Sequence, residues 1–101
     1  MTGAAVSSSS SAPVAVSLSE FTIRMPDSLP AGPTTFTVTN DGTIDHSFEI
    51  EGQGVEQQLE HHLKPGESMD LQVDLAPGKY EVYCPVDGHK EQGMDVDLTV
   101  S

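Results

Sequence analysis

The amino-acid sequence predicts an all-β fold, an antiparallel sandwich of two sheets with about seven or eight strands. The chain has 101 residues, which suffices for one domain and is too few for two independent hydrophobic cores. Apolar and polar residues alternate over several segments, and this period of two is the mark of half-buried strands. Clusters rich in proline, glycine and asparagine separate the segments. Short alternating strands with turns between them favour a sandwich.

The strands can be placed in order along the chain. In the first of them Val14, Val16 and Leu18 alternate with small or polar residues, and a later strand ends at the turn Asn40–Gly42. Each strand is expected to turn its apolar side chains to the core and its polar ones to solvent. The strands are predicted over residues 14–18, 21–25, 34–40, 46–50, 69–75, 80–84 and 94–100.

One segment departs from the alternating pattern. Val55, Leu59 and Leu63 are spaced by four residues, and Pro65 and Gly66 follow. This spacing is typical of a helix with one apolar side. We therefore expect a short helical segment near 55–63 at the edge of the sandwich, with Leu59 packed inward.

The first thirteen residues differ from the rest in composition. They are small and polar and include an unbroken serine run, so residues 1–13 are expected to form a flexible tether, or a disordered terminus without a role. Residues 14–101 are the predicted domain. No export signal and no bilayer-spanning stretch is present, so the only membrane attachment considered is a lost anchor before the tether.

The chain is strongly acidic, with a formal charge of -12. This charge argues against nucleic acids and anionic membranes as partners, because both require a basic surface. The outward carboxylates are expected to solubilise the protein, and they can also steer a basic partner toward it. A high-salt habitat explains the acidity equally well.

The single cysteine, Cys84, excludes an intrachain disulfide, so its thiol is core, nucleophile or metal ligand. It shares a strand face with Tyr80 and Val82, so its sulfur is expected to point to the core. Met94 is in phase with the apolar residues of the last strand. The loop between them carries His89 at a C-x4-H-x4-M spacing. The three side chains are therefore expected to converge at one end of the sandwich.

A fourth donor follows from the same reasoning. His46 is in phase with the core residues Phe48 and Ile50 and follows the turn that ends an earlier strand. Two histidines, one cysteine and a weak axial methionine form the donor set of a blue-copper site. Zinc would gain little from the thioether, and a catalytic Cys–His dyad would leave the second histidine and the methionine unexplained.

The segments around these donors resemble the cupredoxin family of type 1 blue copper proteins, which includes plastocyanin, azurin and rusticyanin. The resemblance covers roughly residue 21 to the end and depends on H-S-F and on Y-x-x-Y-C-x4-H-x3-G-M. It implies a Greek-key sandwich and one copper ion held by His46, Cys84, His89 and Met94. The four-residue gap between Cys84 and His89 is similar to that of azurin or rusticyanin.

The resemblance also assigns roles to neighbouring residues. Tyr80 is expected to pack at a corner, and Tyr83 faces outward as a second electron or docking position. Ser47 stands where better-known members have asparagine, and its backbone N–H can still reach the sulfur. Pro85 has no N–H to donate to that sulfur, whereas the N–H of Val86 can reach it. Pro85 and Val86 are expected to form an apolar docking patch beside the exposed edge of His89, the expected electron port.

The implied function is single-electron transfer between redox partners outside the cytoplasm, in the periplasm or at the cell surface. The expected protein is a monomer and not an enzyme. Copper delivery or storage on the same fold is the main alternative. A metal-free accessory module and an enzyme with an open copper position are less favoured.

A second histidine pair lies within the predicted helical segment. His61 and His62 stand close to Glu56, Gln58 and Glu60, and helical spacing would allow a weak surface metal site there. A solvated face with an incidental histidine pair is the preferred interpretation.

Overall fold

The chain forms the predicted two-sheet sandwich. The computed structural model describes residues 13–86 and 88–101. The tether prediction falls almost wholly on residues 1–12, which lie outside the described residues. The strands are β1 (Val14–Ser19), β2 (Thr22–Arg24), β3 (Ser28–Leu29), β4 (Gly32–Asn40), β5 (Glu49–Gly52), β6 (Val55–Gln58), β7 (Ser68–Leu75), β8 (Gly78–Tyr83) and β9 (Asp95–Val100). A 3₁₀ helix over Lys90–Gln92 precedes β9.

Both sheets are mixed rather than purely antiparallel. One sheet has the strand order β2-β1-β4-β7, and the other has the order β3-β9-β8-β5-β6. Most neighbouring strands are antiparallel as predicted, but β1 is parallel to β4 and β3 is parallel to β9. The antiparallel prediction is wrong for these two pairs. The chain passes through the second sheet as β3 before it returns as β4, so β4 runs beside β1 in the same direction.

The predicted helical segment over 55–63 is wrong. Val55–Gln58 instead forms β6, which pairs with β5 in antiparallel register. Residues spaced by four share a face in a strand as well as in a helix, so the apolar spacing alone did not separate the two. Leu59 is buried as predicted. Among the described residues, no helix has the length and apolar character needed to cross a membrane.

A hairpin with unusual backbone geometry joins β5 to β6. Gly52, Gln53 and Gly54 have φ angles of 149°, 50° and 80°. A Cβ on Gly52 would lie 2.6 Å from the carbonyl oxygen of Lys79. Glycine is therefore required at this position, where the hairpin passes close to β8.

The core fills the space between the sheets. Phe36 of β4 and Phe48, which precedes β5, have ring centroids 5.4 Å apart, and such a contact contributes about 0.5–1.5 kcal/mol beyond area burial. Tyr80 is buried, and its hydroxyl donates to the carbonyl oxygen of Ala76 over 2.7 Å. The structural role predicted for Tyr80 is therefore confirmed.

The segment before β5 is held by a bridge and by a buried amide. His46 was expected to begin a strand, but β5 begins at Glu49. The N–H of His46 donates to Leu63 over 3.1 Å, and the N–H of Leu63 donates back over 2.7 Å. The side chain of Asn40, which is fully buried, donates to the carbonyls of Ile44 and Leu63, each over 2.8 Å. These bonds fix the backbone position of His46.

Candidate metal centre

Three side chains with metal-binding atoms meet at one end of the sandwich. His46, Cys84 and His89 each offer one ligand atom, and these atoms all lie within 4.8 Å of one another. The residues are 0%, 0% and 7% exposed. The structure therefore brings together three of the four predicted donors in a buried cluster.

The two ring nitrogens of His46 have different environments. Nε2 lies 3.2 Å from Oε1 of Glu20. Nδ1 is buried and has no hydrogen-bond partner in the part of the chain that the structure describes. An unpartnered buried polar atom carries a penalty of about 1–3 kcal/mol. A metal ion beside Cys84 and His89 would give this nitrogen a partner, so the cluster fits a metal site.

The sulfur of Cys84 accepts one backbone hydrogen bond. The N–H of Ser47 donates to Sγ over 3.4 Å. This agrees with the expectation that the backbone at Ser47 reaches the sulfur. Within residues 13–86 and 88–101, the structure shows no such bond from the N–H of Val86, and Pro85 has no N–H to donate. Both residues are half-buried.

The backbone of Met94 is hydrogen-bonded to two residues of the same cluster. Its side chain is fully buried. Its carbonyl accepts from the N–H of Cys84 over 3.1 Å, and its own N–H donates to the carbonyl of His89 over 3.1 Å. The 3₁₀ helix over Lys90–Gln92 closes the loop between His89 and Met94. This turn was not predicted, and it shortens the path between the two residues.

The ring of His89 is packed between two others. It meets the ring of Phe21 edge-on at 5.4 Å and the ring of His46 at 5.0 Å. Burial, together with the neighbouring His46, lowers the pKa of His89 below its ordinary value of 6.5. A lowered pKa keeps the imidazole neutral, and a metal ligand must be neutral.

The sequence analysis missed one residue of this cluster, Glu20. It lies in the turn after β1, and its carboxylate accepts from the N–H and the hydroxyl of Thr43 over 2.9 and 2.7 Å. Those bonds, together with His46, lower the pKa of Glu20 from 4.5 to about 2. No local motif marks Glu20. Only the parallel pairing of β1 with β4, which sets Leu18 beside Asn40, brings it near His46.

A family comparison decides the kind of domain. The model for a cupredoxin-like domain matches residues 8–96. The chain belongs to the cupredoxin family. No curated protein sequence matches the chain. The two imidazoles, one thiolate and one thioether of this cupredoxin are a donor set that suits a copper ion.

Solved structures share the fold of this cupredoxin. Reduced auracyanin from the photosynthetic bacterium Roseiflexus castenholzii aligns with a TM-score of 0.74 and 18% identity over 88% of this chain and 96% of its own. Rusticyanin from Thiobacillus ferrooxidans aligns with a TM-score of 0.71 and 16% identity over 91% and 78%. Auracyanin A from Chloroflexus aurantiacus, a "blue" copper protein, aligns with a TM-score of 0.67 and 16% identity over 88% and 99%.

Tyr83, the predicted second electron or docking position, lies half-buried on the outer face of the second sheet. Its hydroxyl donates to Oε2 of Glu51 over 2.9 Å, and Nζ of Lys90 lies 4.4 Å from its ring centroid. Burial and the carboxylate of Glu51 raise the pKa of Tyr83. The strand register places six carboxylates on the same face, which we term the acidic face: Glu49, Glu51, Glu56, Glu81, Asp95 and Asp97.

The second histidine pair is not part of the cluster, although His62 is near enough to His89 to contribute to the lowering of its pKa. His61 and His62 are exposed. Among the described residues, neither belongs to a group of three side chains that could share a metal ion. With the predicted helix replaced by β6, the helical spacing that would have supported a site there is also lost.

Proposed function

We propose that this cupredoxin binds one copper ion through His46, Cys84, His89 and Met94 and carries single electrons between redox partners outside the cytoplasm. The observation that carries the proposal is the buried group of His46, Cys84 and His89, whose ligand atoms all lie within 4.8 Å of one another, together with the unpartnered Nδ1 of His46. The thioether of Met94 is the proposed fourth donor, because the backbone of Met94 is hydrogen-bonded to Cys84 and to His89. No substrate is transformed in this function.

The surroundings of the donors suit a metal site whose geometry changes little between the two oxidation states of the metal. When bound, copper supplies the exchange of one electron between Cu(II) and Cu(I). The chain contributes donors that suit both states: thiolate and thioether favour Cu(I), whereas imidazoles accept Cu(II). Burial and the bonds from Ser47 and Met94 hold the donors in place beforehand, and this limits rearrangement during transfer.

The exit for electrons is proposed at the rim of His89. His89 is buried, with 7% of the residue exposed, so its edge is less open than the sequence led us to expect. Its N–H donates to the carbonyl oxygen of Val86 over 3.0 Å, and Pro85 and Val86 are half-buried. A small contact over these residues fits the weak, short-lived encounters of redox proteins. The acidic face around Tyr83 offers a second docking area for a basic partner.

Copper binding is tested with purified protein and Cu(II). Wild-type protein should develop an intense visible band from thiolate-to-copper charge transfer. The Cys84→Ser variant should lose this band, and His89→Gln should lose or shift it. His61→Gln is the matched control, because His61 is exposed and lies outside the cluster. A colourless wild-type complex, or an unchanged band in Cys84→Ser, would contradict the proposal.

Voltammetry separates electron transfer from copper delivery. An electron carrier should show a stable, reversible one-electron couple and keep its metal in the presence of a Cu(I) chelator. A delivery or storage protein should release Cu(I) readily and show no fast reversible response. Rapid loss of metal would therefore favour the alternative function on the same fold.

Partner steering is tested by ionic strength. The second-order rate of electron exchange with a basic haem protein should fall as salt is added, because salt screens long-range attraction. Glu56→Lys on the acidic face should slow exchange more than Asp70→Lys on the other sheet, although each changes the net charge equally. Equal effects would place docking elsewhere, and a flat salt profile would remove the steering role.

A further inference from the structure

The carboxylate of Glu20 is held by hydrogen bonds next to His46, one of the proposed copper ligands. Oε1 lies 3.2 Å from Nε2 of His46. The same carboxylate is held by both donors of Thr43, and it stands where a side chain on Gly42 would collide with it. The imidazole of His46 is fully buried. These contacts give a single orientation to both side chains.

The chemistry of the two groups settles where the ring proton is. An ionised carboxylate only accepts hydrogen bonds, so Nε2 of His46 must carry the hydrogen. In the neutral ring Nδ1 then carries the lone pair. This is the nitrogen that has no partner within the described residues. The ring that carries it lies 5.0 Å from the ring of His89, between centroids, and belongs to the same group of possible ligands as Cys84 and His89. A carboxylate behind a ligating imidazole fixes its tautomer and increases its basicity.

We infer that Glu20 is a positioning residue for the copper site, which holds the Nε2–H form of His46, aims Nδ1 at the metal and favours Cu(II) over Cu(I). The inference rests on the proposed copper function. It assigns control of the reduction potential to a negative charge outside the four donors. This charge strengthens the imidazole donor, and a stronger donor stabilises the more highly charged ion.

The fold supports this role through non-local pairing. β1 and β4 run parallel, so the residues that follow them leave the sheet side by side. The N–H of Asp41 donates to the carbonyl of Leu18 over 2.7 Å, and this bond holds the ends of β1 and β4 together. Glu20 and Thr43 therefore meet without depending on any contact across the core.

The first test measures the reduction potential of copper-loaded protein. Glu20→Gln keeps the shape and an acceptor oxygen but removes the charge. It should lower the affinity for Cu(II) relative to Cu(I) about tenfold, which for one electron is a rise of about 59 mV. Glu60→Gln is the matched control, because Glu60 is exposed. Equal potentials in the two variants would overturn the inference while leaving the copper proposal intact.

The second test needs no metal. Nitrogen-15 shifts of the imidazole rings in metal-free protein should show His46 with Nε2 protonated and Nδ1 bare. Glu20→Ala should add the other tautomer at His46 and leave the signals of His61 unchanged. A wild-type His46 with its hydrogen on Nδ1 would overturn the inference whatever copper does. A wild-type protein that binds copper without a charge-transfer band would instead overturn the proposed function and, with it, the tuning of the potential.

Discussion

The backbone N–H of Ser47 donates to the sulfur of Cys84 over 3.4 Å. This bond joins the segment of the first histidine to the end of β8. It uses the main chain, so it does not depend on the side chain at position 47. A hydrogen bond to a thiolate lowers its electron density and helps to set the potential of a bound metal. The ligand segments are thus coupled before any metal is present.

Replacement of Met94 by glutamine tests the axial position. Met94→Gln should keep copper bound and lower the reduction potential, because a harder oxygen donor favours Cu(II). The metal-free variant should lose about 1–3 kcal/mol of stability, because the buried amide of the glutamine would lack hydrogen-bond partners. Voltammetry and denaturant titration measure the two effects. A potential that stays constant or rises would show that Met94 is not an axial ligand.

Gly42 has a steric role beside Glu20. A Cβ at this position would overlap Oε1 of Glu20 and lie 2.9 Å from Nε2 of His46. Gly42→Ala should therefore destabilise the metal-free protein by about 1–3 kcal/mol, as overpacking does. In the Glu20→Ala background the same substitution should have a smaller effect. Denaturation of all four proteins gives the coupling between the two sites, and a coupling of zero would contradict the clash.

Asn40 connects the turn after β4 to the segment of His46. Its amide donates to the carbonyls of Ile44 and Leu63, and its Oδ1 accepts from the N–H of Gly42 over 2.8 Å. Asn40→Ala should reduce the free energy of unfolding by about 2–4 kcal/mol, because each buried group left without a partner contributes about 1–3 kcal/mol.

The control for Asn40→Ala is Thr39→Ala. Thr39 is the preceding residue of β4, and its hydroxyl shares an exposed hydrogen bond with Ser68 over 2.8 Å. Its removal should change stability by about 0.5 kcal/mol or less. Urea titration compares the two variants. Similar losses in both would show that the amide of Asn40 does not hold this turn.

Glu49 introduces a pH dependence on the acidic face. Burial raises its pKa above the ordinary 4.5, and the carboxylates of Glu51 and Glu56 raise it further, while Tyr83 opposes the shift. The folded protein therefore holds this proton more tightly than the unfolded chain does. Stability falls as pH rises from 4.5 through the folded-state pKa.

Glu49→Gln removes this titration. The variant should be more stable than wild type at neutral pH, and the difference should shrink as pH is lowered toward 4.5. Thermal denaturation of metal-free protein across this range measures it, with the exposed Glu60→Gln as control. A difference that is constant with pH would show that Glu49 does not titrate with folding.

The local pattern was sufficient to predict the sandwich and the core-facing positions of the proposed donors. Apolar alternation depends only on neighbouring residues in the chain, and it placed Cys84 and Met94 on core-facing positions, where both are buried. His46 followed from the same phase with Phe48. The strand that was expected to begin at His46 begins later, yet the side chain is buried all the same.

Only the tertiary structure decided the features that depend on how distant strands pair. Val55, Leu59 and Leu63 have a spacing that fits either a strand or a helix. The pairing of β6 with β5 made a strand of Val55–Gln58, and the bridge to His46 holds Leu63. The parallel register of β1 and β4 placed Glu20 at His46. Residues 20 and 46 lie far apart in the chain, and neither alternation nor spacing contains the register between two strands. The sequence alone therefore determined which residues face the core and can bind a metal, whereas the packing of distant strands determined what surrounds them.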